Sequence, residues 1–192
     1  MKTVTKQEWT DSIQFGDFGL CRGRGVFAYL ENLFRKKEHE GATLATHGFF
    51  CKGKDVISEA VLPCITGGNK ITRYLDGKDS VWIWRCANIS DTSLDILKAV
   101  SDTEEDQKEP YGSYDIINKG MHFLFGTPLK DKHGTFCTQY LWRLAHAAAL
   151  PFPAVPSFEC DPSLIQNWFE SVQNGKWVLS ALYANGIYSI SE

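Results

Sequence analysis

"GTFCTQYLWRLAHAAAL", residues 134–150, decides how this chain is read. A loop gives way to a long amphipathic helix over 135–149, and Cys137 stands at the junction. A cysteine in that place is either a small buried core group or a thiolate aimed into a cleft. The positive end of the helix dipole and the unclaimed backbone N–H groups of the first turn both stabilise a thiolate. The same N–H groups can later hold an oxyanion. Position alone does not make a nucleophile, because a base must reach the sulfur.

Five histidines could serve: His39, His47, His122, His133 and His146. His39 lies in the polar run "KKEHEG", and His122 sits among Met121, Phe123 and Phe125 in an expected helix over 114–125. His133 is four residues before Cys137 in "KDKHG", where nothing fixes it. His146 is nine residues further along the same helix, roughly 13.5 Å at 1.5 Å per residue, too far to touch the thiol. His47 differs. It falls within "ATLATHGFFC" (42–51), an expected strand, and Gly48 follows it, leaving open space beside the ring. The tripeptide "KGK" (52–54) reads as a turn and "DVISEAVLP" (55–63) as the returning strand. A three-residue turn centred on Gly53 sets His47 directly across from Glu59, on one face, with Cβ atoms about 5 Å apart. A carboxylate there can take the imidazole N–H, fix the tautomer and stabilise the imidazolium. The alternative is a cross-strand pair on the surface. Cys137, His47 and Glu59 are therefore available as nucleophile, base and orienting acid.

The other expected elements are a short strand or loop over 17–23, an amphipathic helix over 25–37, and a hairpin of "NKITRYLD" and "DSVWIWRC" turning near Gly77. Helices follow over 91–107 and 160–175, and a last strand over 176–183. An early antiparallel sheet, then helices, then a strand is an α+β pattern. At 192 residues one domain spanning 1–192 is expected. The net charge of −3 and the absence of a long Lys/Arg run give no nucleic-acid footprint. There is no apolar leader segment and no run of about 18 apolar residues, so a cytoplasmic protein with no integral membrane span is expected. The six cysteines form no C-x-x-C, and with five scattered histidines they make no metal-ligand set. No metal or other cofactor is expected.

These residues also resemble the circularly permuted NlpC/P60 papain-like superfamily and, within it, the YiiX-like cysteine hydrolases. "FGDFGLCRGRG" (15–25) is similar to the family's opening Gly-Asp strand and glycine/basic loop. "ATHGFF" (45–50) resembles its histidine strand, and "VISEAV" (56–61) the strand carrying its acid. "PYGSYDIINKGMHFLFG" (110–126) is similar to its tyrosine-rich segment. "GTFCTQYLWRLAHAAAL" resembles its nucleophile helix, and "CDPSLIQNWFESV" the closing helix. The resemblance spans about residues 15–175. It implies a permuted papain-like fold, an antiparallel sheet packed against helices, in which the histidine strand precedes the cysteine helix. It also implies Cys137 as nucleophile, His47 as base and then acid, Glu59 as the group orienting His47, and the Cys137 N–H in the oxyanion hole. Tyr114, more weakly Tyr111, and Asp17 would line the substrate pocket. Two features depart from the family pattern. Gly19 and Cys21 stand where larger apolar residues are usual, so Cys21 becomes a possible second thiol near the site, and Thr138-Gln139 replaces a commoner Ser-Glu.

The implied activity is cleavage of a peptide or isopeptide amide through a thioacyl-enzyme, with a small peptide as substrate. A second reading keeps the thiol and changes the substrate to an acyl lipid, as a hydrolase or acyltransferase. In that case Phe49, Phe50, Trp82, Trp84 and Phe123 could line a greasy groove. A third reading is a papain-like binding module without turnover.

Overall fold

Alternation along the strands builds two apolar faces from one sheet. In "FGDFGLC", Phe18 and Leu20 join one cluster while Cys21 joins the other. In "HGFFCKG", Phe50 is on the first face and Phe49 and Cys51 are on the second. This two-residue period is what a sheet covered on both sides requires. The computed structural model describes residues 1–22, 45–75, 80–112, 136–157, 160, 162–171 and 176–192. The expected helices over 25–37 and 114–125 and the turn at Gly77 lie outside them.

The chain is α+β. Eight strands form one antiparallel sheet: β1 (Lys2–Val4), β2 (Phe15–Cys21), β3 (His47–Gly53), β4 (Val56–Val61), β5 (Cys64–Lys70), β6 (Ser80–Cys86), β7 (Trp177–Ala184) and β8 (Ile187–Ile190). Their spatial order is β1-β8-β7-β6-β2-β3-β4-β5. Strands from the two ends of the chain pair with each other, since Thr3 faces Ser189. The described helices are α1 (Lys6–Ser12), α2 (Asp91–Gln107), α3 (Cys137–Ala147) and α4 (Pro162–Ser171). None of them is long and apolar enough to cross a membrane.

The last three helices supply one side of the core. Leu97 of α2, Tyr140, Leu141 and Leu144 of α3, and Ile165 and Phe169 of α4 cluster with Phe18, Leu20, Phe50 and Trp84 of the sheet. Trp9 and Ile13 lie on the other face with Phe49, Ile57, Val81 and Ile83. Trp82 and Trp84 share the helix side, as their spacing requires. Phe49, Phe50 and Trp84 are thus core residues, each 6% exposed or less, and Trp82 packs half-buried against the core. They do not line an open groove. Phe123 lies outside the described residues.

Two glycines set close approaches. A Cβ on Gly19 would stand 1.9 Å from the Phe49 ring, so the missing side chain is the space that Phe49 fills. The ring can neither shrink nor leave a close-packed core. Gly19→Ala is therefore expected to cost about 3 kcal/mol and to lower Tm by on the order of 10 °C, read by thermal unfolding. Gly48 is the second case. The space beside it is occupied, not open: a Cβ there would meet Leu141 of α3 at 2.7 Å. The glycine after His47 lets the helix that begins with Cys137 lie close against β3.

Candidate active site

Cys137 is the first residue of α3, and the first helical hydrogen bond runs from the Tyr140 N–H to the Phe136 carbonyl at 3.1 Å. The N–H groups of Cys137, Thr138 and Gln139 therefore precede the helical ladder. The three residues after the cysteine fix the helix start. Thr138 donates its hydroxyl to the Cys160 carbonyl at 2.6 Å, and the Gln139 side-chain oxygen accepts the Phe136 N–H at 3.2 Å. The Tyr140 hydroxyl meets the Ser58 hydroxyl at 2.7 Å, both buried. Ser58 adjoins Glu59, so that bond ties the helix carrying the cysteine to the strand carrying the acid. Thr138 and Gln139, the departures from the Ser-Glu pattern, are buried structural partners of the helix start.

His47 opens β3 at the end of the sheet. Its Nε2 lies 2.7 Å from Glu59 Oε2. Cys137 lies within hydrogen-bonding reach of the same ring. The three groups are brought together, but not by the register expected from a "KGK" turn. Phe50 pairs with Ser58 and Cys51 with Ile57, and a bulge follows before Gly53 pairs with Val56. The turn is Lys54-Asp55, with Lys54 at φ +45° and Gly53 at φ +108°. Carried along the strands, this register sets Glu59 opposite Phe49, one pleat from His47. The two remain on one face because the shift is an even number of residues. They meet on the diagonal, a distance two long polar side chains can span.

Glu59 is fully buried, which rules out the alternative of a surface pair. It accepts four hydrogen bonds: from His47, from Asn69 Nδ2 at 3.0 Å, from Arg73 Nη1 at 2.9 Å and from the Tyr74 hydroxyl at 2.5 Å. Burial pushes its carboxyl upward, but these donors and the charges of His47 and Arg73 outweigh that, and it stays below the usual carboxylate range. Burial would likewise push His47 down. The facing Cys137 and then Glu59 reverse the sign and raise it to about 10. The ring is thus held between the Cys137 sulfur and the Glu59 carboxylate.

Asn69, Arg73 and Tyr74 were not legible as site residues. The segment "ITRY" is a 3-10 turn, not a strand. Asp55 stops the strand by taking the Thr72 N–H at 3.1 Å, while the Asp55 carbonyl takes the Ile71 N–H at 2.9 Å. The turn delivers Arg73 and Tyr74 onto Glu59. The Tyr74 ring also stacks on Phe49, with centroids 5.7 Å apart, and lies 5.8 Å from the His47 ring.

The remaining candidates separate. Cys21 is the register partner of His47 on β2, fully buried, and near enough to Tyr74 to oppose its ionisation. Tyr111 is half-buried against the helix-side core, with its N–H on the Pro63 carbonyl at 2.9 Å. Tyr114 lies outside the described residues, as do His39, His122 and His133. His146 is on the last turn of α3, stacked on Trp142 with centroids 3.9 Å apart. Among the described residues no group of three or more His, Cys, Asp or Glu is placed to hold a metal.

Asp17 is buried, away from the His47–Glu59 pair. It lies four residues from Cys21, about 13 Å along the strand. Arg85 clamps it with Nε at 2.8 Å and Nη2 at 2.7 Å, and it accepts the Gln14 N–H at 2.9 Å. Burial holds its carboxyl above the usual range even so. Arg85→Met would strand this carboxylate in the core, an expected cost of about 2 kcal/mol at neutral pH. The variant's folded state should then bind a proton more readily than its unfolded state. Its stability deficit should therefore shrink as pH falls from 8 to 5, as measured by urea unfolding at each pH.

No protein-family model matches the chain, and no curated protein is significantly similar to it.

Proposed function

We propose that this chain is a cysteine hydrolase of permuted papain-like type that cleaves an amide bond through a thioacyl-enzyme. The observation that carries the reading is His47, bonded through Nε2 to buried Glu59 and faced by Cys137 at the start of α3. In this reading the Cys137 thiolate attacks the carbonyl carbon, and backbone N–H groups at the helix start stabilise the oxyanion. His47 then passes its proton to the leaving amine, which departs as the thioester forms. Neutral His47 next takes a proton from water as the hydroxide attacks the thioester, and the acid product leaves. Glu59 keeps the ring oriented throughout. A small peptide is the favoured substrate class. The acyl-lipid reading loses much of its motivation because three of the aromatics proposed for a groove, Phe49, Phe50 and Trp84, are core residues.

The test is to quench the protein in acid during incubation with panels of peptide amides and acyl-lipid esters, then to map acyl adducts by mass spectrometry. The reading expects an adduct on Cys137 from an amide and none with Cys137→Ala. Adducts from lipid esters alone would move the assignment to an acyl-lipid hydrolase. Adducts from neither panel, with an unreactive thiol, would favour a binding module.

A further inference from the structure

We infer that Tyr74 is a positioning residue of the His47–Glu59 pair, and that it keeps Glu59 an ionised hydrogen-bond acceptor, unable to accept a proton from His47. The inference rests on the thiol-hydrolase reading of the site. It starts from a count of lone pairs. A carboxylate offers about four acceptor directions, and Glu59 uses four: His47 and Tyr74 on Oε2, Asn69 and Arg73 on Oε1. No direction is left for a proton without displacing a donor. An imidazole facing a carboxylate with spare capacity could lose its Nε2 proton to it. His47 faces one with none.

Tyr74 is the member of this set best placed to act through His47. Its hydroxyl and His47 Nε2 share the same oxygen, at 2.5 Å and 2.7 Å. Arg73 is half exposed, so water can replace part of what it gives. Tyr74 is itself a donor that does not ionise, because burial and then the neighbouring Cys21 and Glu59 push its phenol far up. Its ring is held by the stack on Phe49 and the cation of Arg73, 5.4 Å from the ring centre. The groups facing Glu59 are thus His47 from β3, Asn69 from β5, and Arg73 and Tyr74 from the 3-10 turn. Cys21 stands behind Tyr74, and Cys137 stands behind His47. Tyr74→Phe removes one donor and leaves the ring stack in place.

The experiment follows the rate at which iodoacetamide alkylates Cys137 in the full chain from pH 4 to pH 10, by peptide mass spectrometry, in wild type, Tyr74→Phe, Arg73→Gln and His47→Ala. With one donor lost, Glu59 protonates at higher pH, and the neutral acid no longer supports the imidazolium that holds the thiolate. Tyr74→Phe should shift the acid edge of the profile upward by about one pH unit. The loss of rate should be confined to the acid side of the profile, and Tm should fall by only the few degrees that one buried hydrogen bond is worth. Arg73→Gln should shift the edge the same way by less. A Tyr74→Phe profile superimposable on wild type overturns the inference, and so does a rate lowered equally at all pH values. His47→Ala separates the two levels. If it slows Cys137 while Tyr74→Phe changes nothing, the positioning role fails alone. If it leaves Cys137 unaffected, the thiol-hydrolase reading fails with it.

Discussion

His47→Ala and Cys137→Ala should each lower kcat/KM on an amide substrate by about 10⁴-fold or more, and the double variant should be no worse than either single one. The non-additivity follows from the arrangement at the end of β3. His47 lies between Glu59 and Cys137 and is raised to about 10 by those two neighbours despite its burial. Remove the ring and the thiolate loses its counter-ion and the leaving group loses its proton donor. Remove the thiol and the ring has nothing to serve. What survives in either case is binding and the N–H groups at the start of α3, and these survive in the double variant too. Steady-state kinetics of the three variants, each first shown to be folded by circular dichroism, checks this. Additive losses would mean that the two residues act in separate events.

Glu59→Leu should be the most damaging single substitution for stability among the site residues, at about 4 kcal/mol. The carboxylate is fully buried and satisfies four donors. An isosteric apolar group would leave the Tyr74 hydroxyl, the Asn69 amide and the His47 imidazolium without an acceptor in the core. Glu59→Gln should keep the fold and lower kcat/KM by about 10²-fold, because an amide can accept from the ring but does not balance its charge. The pH dependence has a definite sign. Glu59 lies below its ordinary value of 4.5 in the folded chain. Its contribution is therefore present above that value and lost as pH falls through the folded one. His47 has the opposite sign. Its contribution is complete below its ordinary 6.5 and is lost as pH rises through about 10. Urea unfolding of wild type should show stability declining toward both ends, and Glu59→Gln should lose most of the acid-side dependence.

Much of this arrangement is legible in the amino-acid order. The α2 helix over 91–107 announces itself through its Ser90 cap, whose hydroxyl takes the Ser93 N–H at 3.1 Å. The helix that begins with Cys137 and the His47 and Glu59 strands follow from periodicity. The pairing register does not, because a one-residue bulge beside Gly53 leaves no mark in composition. The elements at the two ends had readable signals. Thr5 and Glu8 form a capping box at the start of α1. Asn185-Gly186, both at positive φ, turn the β7–β8 hairpin. The strand "CITGGNK" has neither alternation nor β-branched density and becomes β5 by pairing with β4. That pairing in turn decides the site's outer shell. Asn69, Arg73 and Tyr74 reach Glu59 because β5 ends in a 3-10 turn capped by Asp55, a tertiary outcome that local spacing does not encode.

The most direct test of the central claim is the pH dependence of Cys137 alkylation by iodoacetamide, compared with half-exposed Cys64 in the same chain and with a free-thiol peptide. A thiolate paired with His47 predicts that Cys137 reacts at pH 6–7 well ahead of both, and that His47→Ala removes the advantage. A Cys137 that reacts no faster than Cys64, or only above the free-thiol value of about 8.5, would contradict the account and leave α3 a core helix with an ordinary cysteine at its start.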